Sequence, residues 1–213
     1  SALEVLKKAV NDSVFNLRRV LIGEKIDELI KNATQNPDSG IDLEVIKNYN
    51  ANNVIVSTIN DPLELNGITN YVGQDLLQSG RIAARLMEMI VPKNMGILII
   101  HLDEVINNSI HMQLKEKGFR KYLEQVSTNN YTLKTYSLQQ SDLGEKLPDL
   151  INKTHNISGI FVTTSKGYSV AKIVNDFNDL HIKIIGYDLL DENIKYLKDN
   201  SIDFLINQNP KHQ

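Results

Sequence analysis

Polar groups stand at the ends of the apolar runs in this chain, where chemistry is usually placed. Ile184-Ile185-Gly186-Tyr187 delivers Asp188, and Ile202 to Asn207 delivers Gln208 ahead of Asn209-Pro210. Gly159-Ile160-Phe161-Val162 leads to Thr164, Gly96 to Ile100 leads to Asp103, and Val54 to Ile59 leads to Asp61. Ligands of an open parallel sheet sit outside the carboxyl ends of its strands, so Asp188 and Gln208 are expected to face one crevice. Carboxylates, amides and hydroxyls converging there make a small-molecule pocket. The same residue types also cap helices, which is the reading given to Asp75.

Other chemistries find no support. The Walker phosphate loop and G-x-G-x-x-G are absent, and Thr163-Thr164-Ser165-Lys166-Gly167 lacks the glycine pattern of an anion nest. The five histidines show no metal spacing, and His101 is expected to pack within a strand. There is no G-x-S-x-G elbow. Asp103 and Asp188 could in principle serve as a hydrolytic acid and base, but nothing in the spacing sets their separation. No enzyme activity, cofactor or metal is expected.

The elements that must hold these groups alternate. Leu76, Leu77, Ile82, Ala83, Leu86, Met87 and Ile90 repeat at helical spacing over 76–90. A strand at 96–100, a helix at 108–125, a strand at 132–137 and a helix at 142–153 follow. Then come a strand at 159–162, a helix at 166–178, a strand at 182–185, a helix at 191–200 and a last strand before Gln208. Strands alternating with helices predict an α/β fold with a doubly wound parallel sheet. Before residue 60 the pattern weakens: helices are expected at 3–11, 24–33 and 42–50, with strand pieces at 20–22, 39–41 and 54–59. This front half looks abridged for a complete sheet.

Composition narrows the partners. With 23 Lys and Arg against 26 Asp and Glu, the net charge is −3, so no domain-wide basic surface is available for nucleic acid. Cysteine is absent, which rules out disulfides and thiolate chemistry. No run approaches the ~20 apolar residues of a membrane span. Ser1-Ala2 in place of an initiator Met reads as a tag remnant, and no signal peptide is visible.

Asn70-Tyr71-Val72-Gly73-Gln74-Asp75 followed by Ser79-Gly80-Arg81-Ile82-Ala83-Ala84 resembles the segment opening the second lobe of LacI/GalR-type repressors and periplasmic sugar-binding proteins. Gly118-Phe119, the strand into Thr164, the strand into Asp188 and Phe204 to Pro210 recur in the same order. The resemblance covers residues 54–213, and Glu192 to Gln213 is most similar to the repressor branch. It implies two doubly wound lobes joined by a hinge, as in type I periplasmic binding proteins. Here residues 1–62 would form an incomplete first lobe, 63–208 the second, and 209–213 the start of the return to the first.

The resemblance also implies a ligand, a sugar, held between the lobes. Vicinal hydroxyls around an apolar ring call for carboxylates and amides plus an aromatic face. Asp188 matches the pocket aspartate, Gln208 the closing glutamine, Thr164 a position where asparagine is common, and Asp61 the first-lobe carboxylate at the hinge. The family's pocket arginine has no counterpart, and that helix face carries Gln113 and Lys115 instead; an ammonium does not replace a bidentate fork. Asp103 completes the carboxylates, and Tyr168 offers a ring to stack on. The implied role is the effector-binding and dimerisation domain of a cytoplasmic LacI-family regulator. It would form a homodimer and reach operator DNA only through an N-terminal headpiece, with no membrane partner. The alternative is an extracytoplasmic sugar-binding protein, or the sensor domain of a transporter or receptor kinase.

Overall fold

A computed structural model of the chain describes residues 57–59, 70–103 and 109–208. They belong to a compact unit spanning Val54–Gln213. Asp61, the elements expected before residue 57 and the segment 209–213 lie outside the described residues.

Two short strands, β1 (Ser57–Ile59) and β2 (Asn70–Val72), pair in parallel with Ser57 opposite Asn70. The main sheet contains β3 (Gly96–Leu102), β4 (Thr132–Leu138), β5 (Ile157–Val162), β6 (Lys183–Tyr187) and β7 (Phe204–Ile206). Its order is β4-β3-β5-β6-β7, with every neighbouring pair parallel. The connecting helices are α1 (Leu76–Ile90), α2 (Ile110–Gln125), α3 (Leu143–Lys153), α4 (Gly167–Val174) and α5 (Asp191–Lys198).

The two faces of the sheet are read from alternate strand residues, as the two-residue period requires. Ile97, Ile99, Phe161, Ile185 and Tyr187 pack with Ala83, Ala84 and Met87 of α1 and with Phe119 and Leu123 of α2. Leu98, Ile100, Ile160, Val162 and Ile184 pack on the other face with Leu143, Leu147 and Ile151 of α3 and with Val170, Ala171 and Val174 of α4. Helices therefore cover both faces, which is the doubly wound α/β arrangement expected from the sequence. Continuous burial along β3 and β5 explains why both read as unbroken apolar runs.

Most boundaries fall within two residues of those expected, and two differences are informative. The strand expected to end at Ile100 continues through His101 and Leu102, so Asp103 follows the strand directly. The helix expected over 166–178 stops at Val174 and tightens into a 3₁₀ segment, Asn175–Leu180, in which Phe177 leaves helical geometry at φ −106° and ψ 46°. Asn and Asp at 175–176 compete for backbone hydrogen bonds and disfavour continued α-helix.

α1 begins as expected, with the Asp75 carboxylate accepting from Gln78 N at 2.9 Å. It crosses α2 at two glycines. A Cβ on Gly80 would lie 1.9 Å from the Lys115 carbonyl oxygen, and one on Gly118 would lie 2.0 Å from that of Leu77. The two backbones touch through these residues, which fixes where α2 presents Lys115 and Glu116.

Candidate ligand-binding site

Because all five strands run in parallel, their carboxyl ends share one edge of the sheet. Along it stand Gln140 beyond β4, Asp103 beyond β3, Thr163 and Thr164 beyond β5, Asp188 beyond β6 and Gln208 beyond β7. The chain turns outward from β3 to β4 and then resumes at β5 on the other side. The topological switch point, where open α/β sheets hold ligands, therefore lies between Asp103 and Thr163.

Asp188 and Gln208 meet at this edge. Gln208 Nε2 donates to both carboxylate oxygens of Asp188, each at 2.9 Å. Asp188 adopts a left-handed conformation at φ 67°, which a non-glycine residue holds at a cost of about 1–2 kcal/mol. Its N–H donates to the Ile206 carbonyl at 3.0 Å, so backbone and side chain are both tied to β7 and its extension. Such strain persists where neighbouring contacts over-determine it, and it concentrates at functional sites.

Asp103 also sits at the edge, but its carboxylate is engaged. It forms an ion pair with Lys166 and accepts from Gln140 N at 2.6 Å. The Lys166 hydrogen bond, supported by the Gln140 amide, lowers its pKa below the ordinary value of 3.8. Gln140 Nε2 continues the chain to Ser169 Oγ at 2.9 Å and to Tyr168 OH at 3.5 Å. Tyr168, in the first turn of α4, thus stands beside the Asp103 end of the edge. Thr164 differs from both: its Oγ1 is buried without a hydrogen-bond partner.

Lys115 lies beneath the edge. It is 2% exposed, donates to the Thr163 carbonyl at 3.2 Å, and holds its ammonium 3.9 Å from the centre of the Tyr187 ring. Close helix packing at Gly80 and Gly118 presses this turn of α2 onto the sheet, and the flexible lysine stem lies along it. Gln113 is exposed and shares a shallow surface depression on α2 with Glu116, Lys117 and Lys121. The structure thus brings Asp188 to Gln208 and Asp103 to Tyr168 through Gln140, and leaves Gln113 on the outer helix face.

Under the edge lies a polar network that spacing alone does not reveal. His101, fully buried, pairs through Nδ1 with Thr163 Oγ1 at 2.7 Å and through Nε2 with Glu116 at 2.8 Å. Burial pushes the Glu116 carboxyl up. Hydrogen bonds from His101, Thr135 and Arg120 outweigh burial and hold it at about 2, against 4.5 ordinarily. Tyr187 is buried, hydrogen-bonded to Ser79 at 2.9 Å, and desolvation raises its pKa strongly. Asn193, Lys166 and Gln140 are further residues of the edge that the sequence reading missed. Each has a partner 25 to 63 residues away in the chain, which no local signal marks. Among the described residues, no group of His, Asp and Glu could hold a metal ion, and no helix is long and apolar enough to cross a membrane.

The periplasmic component of an ABC-type sugar transport system from Hahella chejuensis superposes with a TM-score of 0.67 at 19% identity, covering 79% of this chain and 62% of that one. A putative LacI transcriptional regulator from Bacteroides fragilis gives 0.65 at 22% identity over 77% and 58%. GanP, a glucose-galactose binding protein from Geobacillus stearothermophilus, gives 0.61 at 25% identity over 75% and 57%. The chain therefore spans about six-tenths of the length of these structures. No curated protein matches the sequence. The family model for the periplasmic binding protein domain matches residues 27–213, and the chain belongs to that family.

Proposed function

We propose that the carboxyl edge of the five-stranded sheet is one wall of a sugar-binding site centred on Asp188 and Gln208. The observation that carries this reading is the contact between them. Two groups 20 residues apart, on separate strands, converge at 2.9 Å and leave Asp188 with lone pairs for ligand hydroxyls. Thr164 supports it, since it places a further hydroxyl-bearing residue at the same edge, beyond β5. Asp103 and Tyr168 are assigned to the periphery of the site. The domain binds and senses its ligand and does not transform it.

In the leading reading, the site belongs to a cytoplasmic LacI-family regulator that acts as a homodimer. Ligand biases the angle between lobes and so the fit of a separate DNA-binding headpiece to its operator. The coupling is reciprocal: ligand and operator change one another's affinity by the same factor. The resemblance of Glu192 to Gln213 to the repressor branch favours this reading. A second reading, an extracytoplasmic sugar-binding protein, is favoured by the similarity to the Hahella chejuensis transport component and to GanP. The coding sequence upstream of Ser1 separates them: a basic helix-turn-helix headpiece supports the first, a signal peptide the second.

The test is calorimetric titration of the chain with a panel of mono- and disaccharides, with Asp188→Ala as control. Binding heat that disappears in the variant is the expected result. A sugar that binds the variant as tightly as the parent chain would show that the site lies elsewhere.

A further inference from the structure

Helix α5 buries one of its eight side chains completely, and that side chain is an amide, Asn193. A short helix on a sheet ordinarily buries an aliphatic group there, because an amide must recover in hydrogen bonds what it loses in hydration. Asn193 recovers it from both loops at the edge. The two hydrogens on its Nδ2 are shared among the carbonyls of Ser165 at 2.7 Å, Tyr187 at 3.0 Å and Asp188 at 3.0 Å. Its Oδ1 accepts from Tyr168 N at 2.8 Å. Three carbonyls around one terminal atom and an N–H at the other leave a single orientation of the amide.

We infer that Asn193 is a positioning residue that locks Asp188 in its left-handed conformation and ties the β5–α4 loop to the β6–α5 loop. This inference rests on the assignment of Asp188 to the ligand. With its carbonyl on Asn193 and its N–H on Ile206, Asp188 is gripped on both sides of its strained backbone, and its carboxylate is aimed at Gln208. The same amide holds Ser165 and Tyr168, which flank the turn that follows Thr164. One buried side chain thereby sets the spacing between Thr164 and Asp188.

The test uses the complete chain without ligand. Asn193→Leu fills the space but removes every hydrogen bond; Asn193→Asp keeps the shape and the acceptor for Tyr168 but removes the donors. Amide hydrogen exchange and the Asp188 carboxyl carbon shift are read by NMR in each, with Gln208→Ala as reference. Exchange at Asp188 is expected to accelerate at least tenfold in both variants, and exchange at Tyr168 likewise in Asn193→Leu. The Asp188 carboxyl signal should move toward its position in the reference, while Ile97 to Ile100 stay within twofold of the parent. An unchanged Asp188 in a folded variant would overturn the inference. So would uniform acceleration across the sheet, or loss of the fold in both variants, since Asn193 would then be only a core residue. Because no sugar enters the measurement, a parent chain that binds none defeats the proposed function without touching this result.

Discussion

Asp103 and Asp188 leave their strands by the same device. Each is in the left-handed region, at φ 62° and 67°, and each donates its N–H to the last carbonyl of the neighbouring outer strand, Leu138 of β4 and Ile206 of β7. The strand order places them symmetrically about β5. Their carboxylates then diverge: Asp103 is bound by Lys166 and the Gln140 amide, whereas Asp188 is met by the neutral Gln208 side chain. A carboxylate neutralised by an ammonium has less to offer a neutral hydroxyl than one held by an amide. The symmetry of the backbone therefore conceals a division of labour.

That division is testable with asparagine, which tolerates the left-handed conformation and preserves shape. Asp188→Asn should weaken sugar binding about a hundredfold, in line with the ~1.5–3 kcal/mol of a hydrogen bond to a charged group, and leave stability within about 1 kcal/mol. Asp103→Asn breaks a partly exposed ion pair and should cost at most about 1 kcal/mol of stability, with less than a tenfold effect on binding. Calorimetry and urea unfolding on both variants decide it. Equal losses of affinity would refute the division.

The acid limb of stability should report Glu116. Its folded pKa, about 2, lies below the ordinary 4.5, so its contribution is present above pH 4.5 and is lost as pH falls toward 2. A shift of that size corresponds to about 3 kcal/mol. In Glu116→Gln the dependence of unfolding free energy on pH between 4.5 and 2 should flatten by that order, which urea titrations across the interval would measure. An unchanged slope would mean that the His101–Glu116–Arg120 network is not formed in solution.

How much of this was legible in the sequence depended on whether the signal was local. Burial on both faces of β3 and β5 writes continuous apolar runs, and helix α1 writes its period and its Asp75 cap, so the architecture could be read directly. Asp188 and Gln208 could be paired because parallel strands put their ends at one edge whatever the loops do. The surroundings of Lys115 could not be read: the sequence offered it with Gln113 on the helix face where the family carries an arginine, and its contacts with Thr163 and Tyr187 needed the fold. Asn193 carried no signal either, since an asparagine in the first turn of a helix is ordinary and its partners lie on two other loops. His101 was expected to pack, which it does, but Glu116 and Thr163 as its partners needed the fold.

The helix crossing makes a sharp demand. Alanine at Gly80 or Gly118 would put a methyl about 2 Å from a backbone oxygen of the facing helix, where no side-chain rotation relieves the clash. Each substitution should therefore exceed the ~1–3 kcal/mol typical of overpacking. Thermal unfolding of the two variants would check it. A midpoint within two or three degrees of the parent would indicate that α1 and α2 are farther apart than described.

Lys115 offers the last discrimination, between a ligand group and a brace for the edge. Lys115→Met keeps the stem but leaves the buried Thr163 carbonyl without the donor it has at 3.2 Å, a loss of about 1–3 kcal/mol. It also removes the cation from the face of Tyr187, worth about 2 kcal/mol where desolvated. If Lys115 is a brace, the ligand-free variant is destabilised by a few kcal/mol and amide exchange at Thr163 and Thr164 accelerates before any sugar is added. If it is a ligand group, ligand-free stability is unchanged and only affinity falls. Burial to 2% exposure makes the first outcome the expected one, and urea unfolding without ligand is the measurement that separates them.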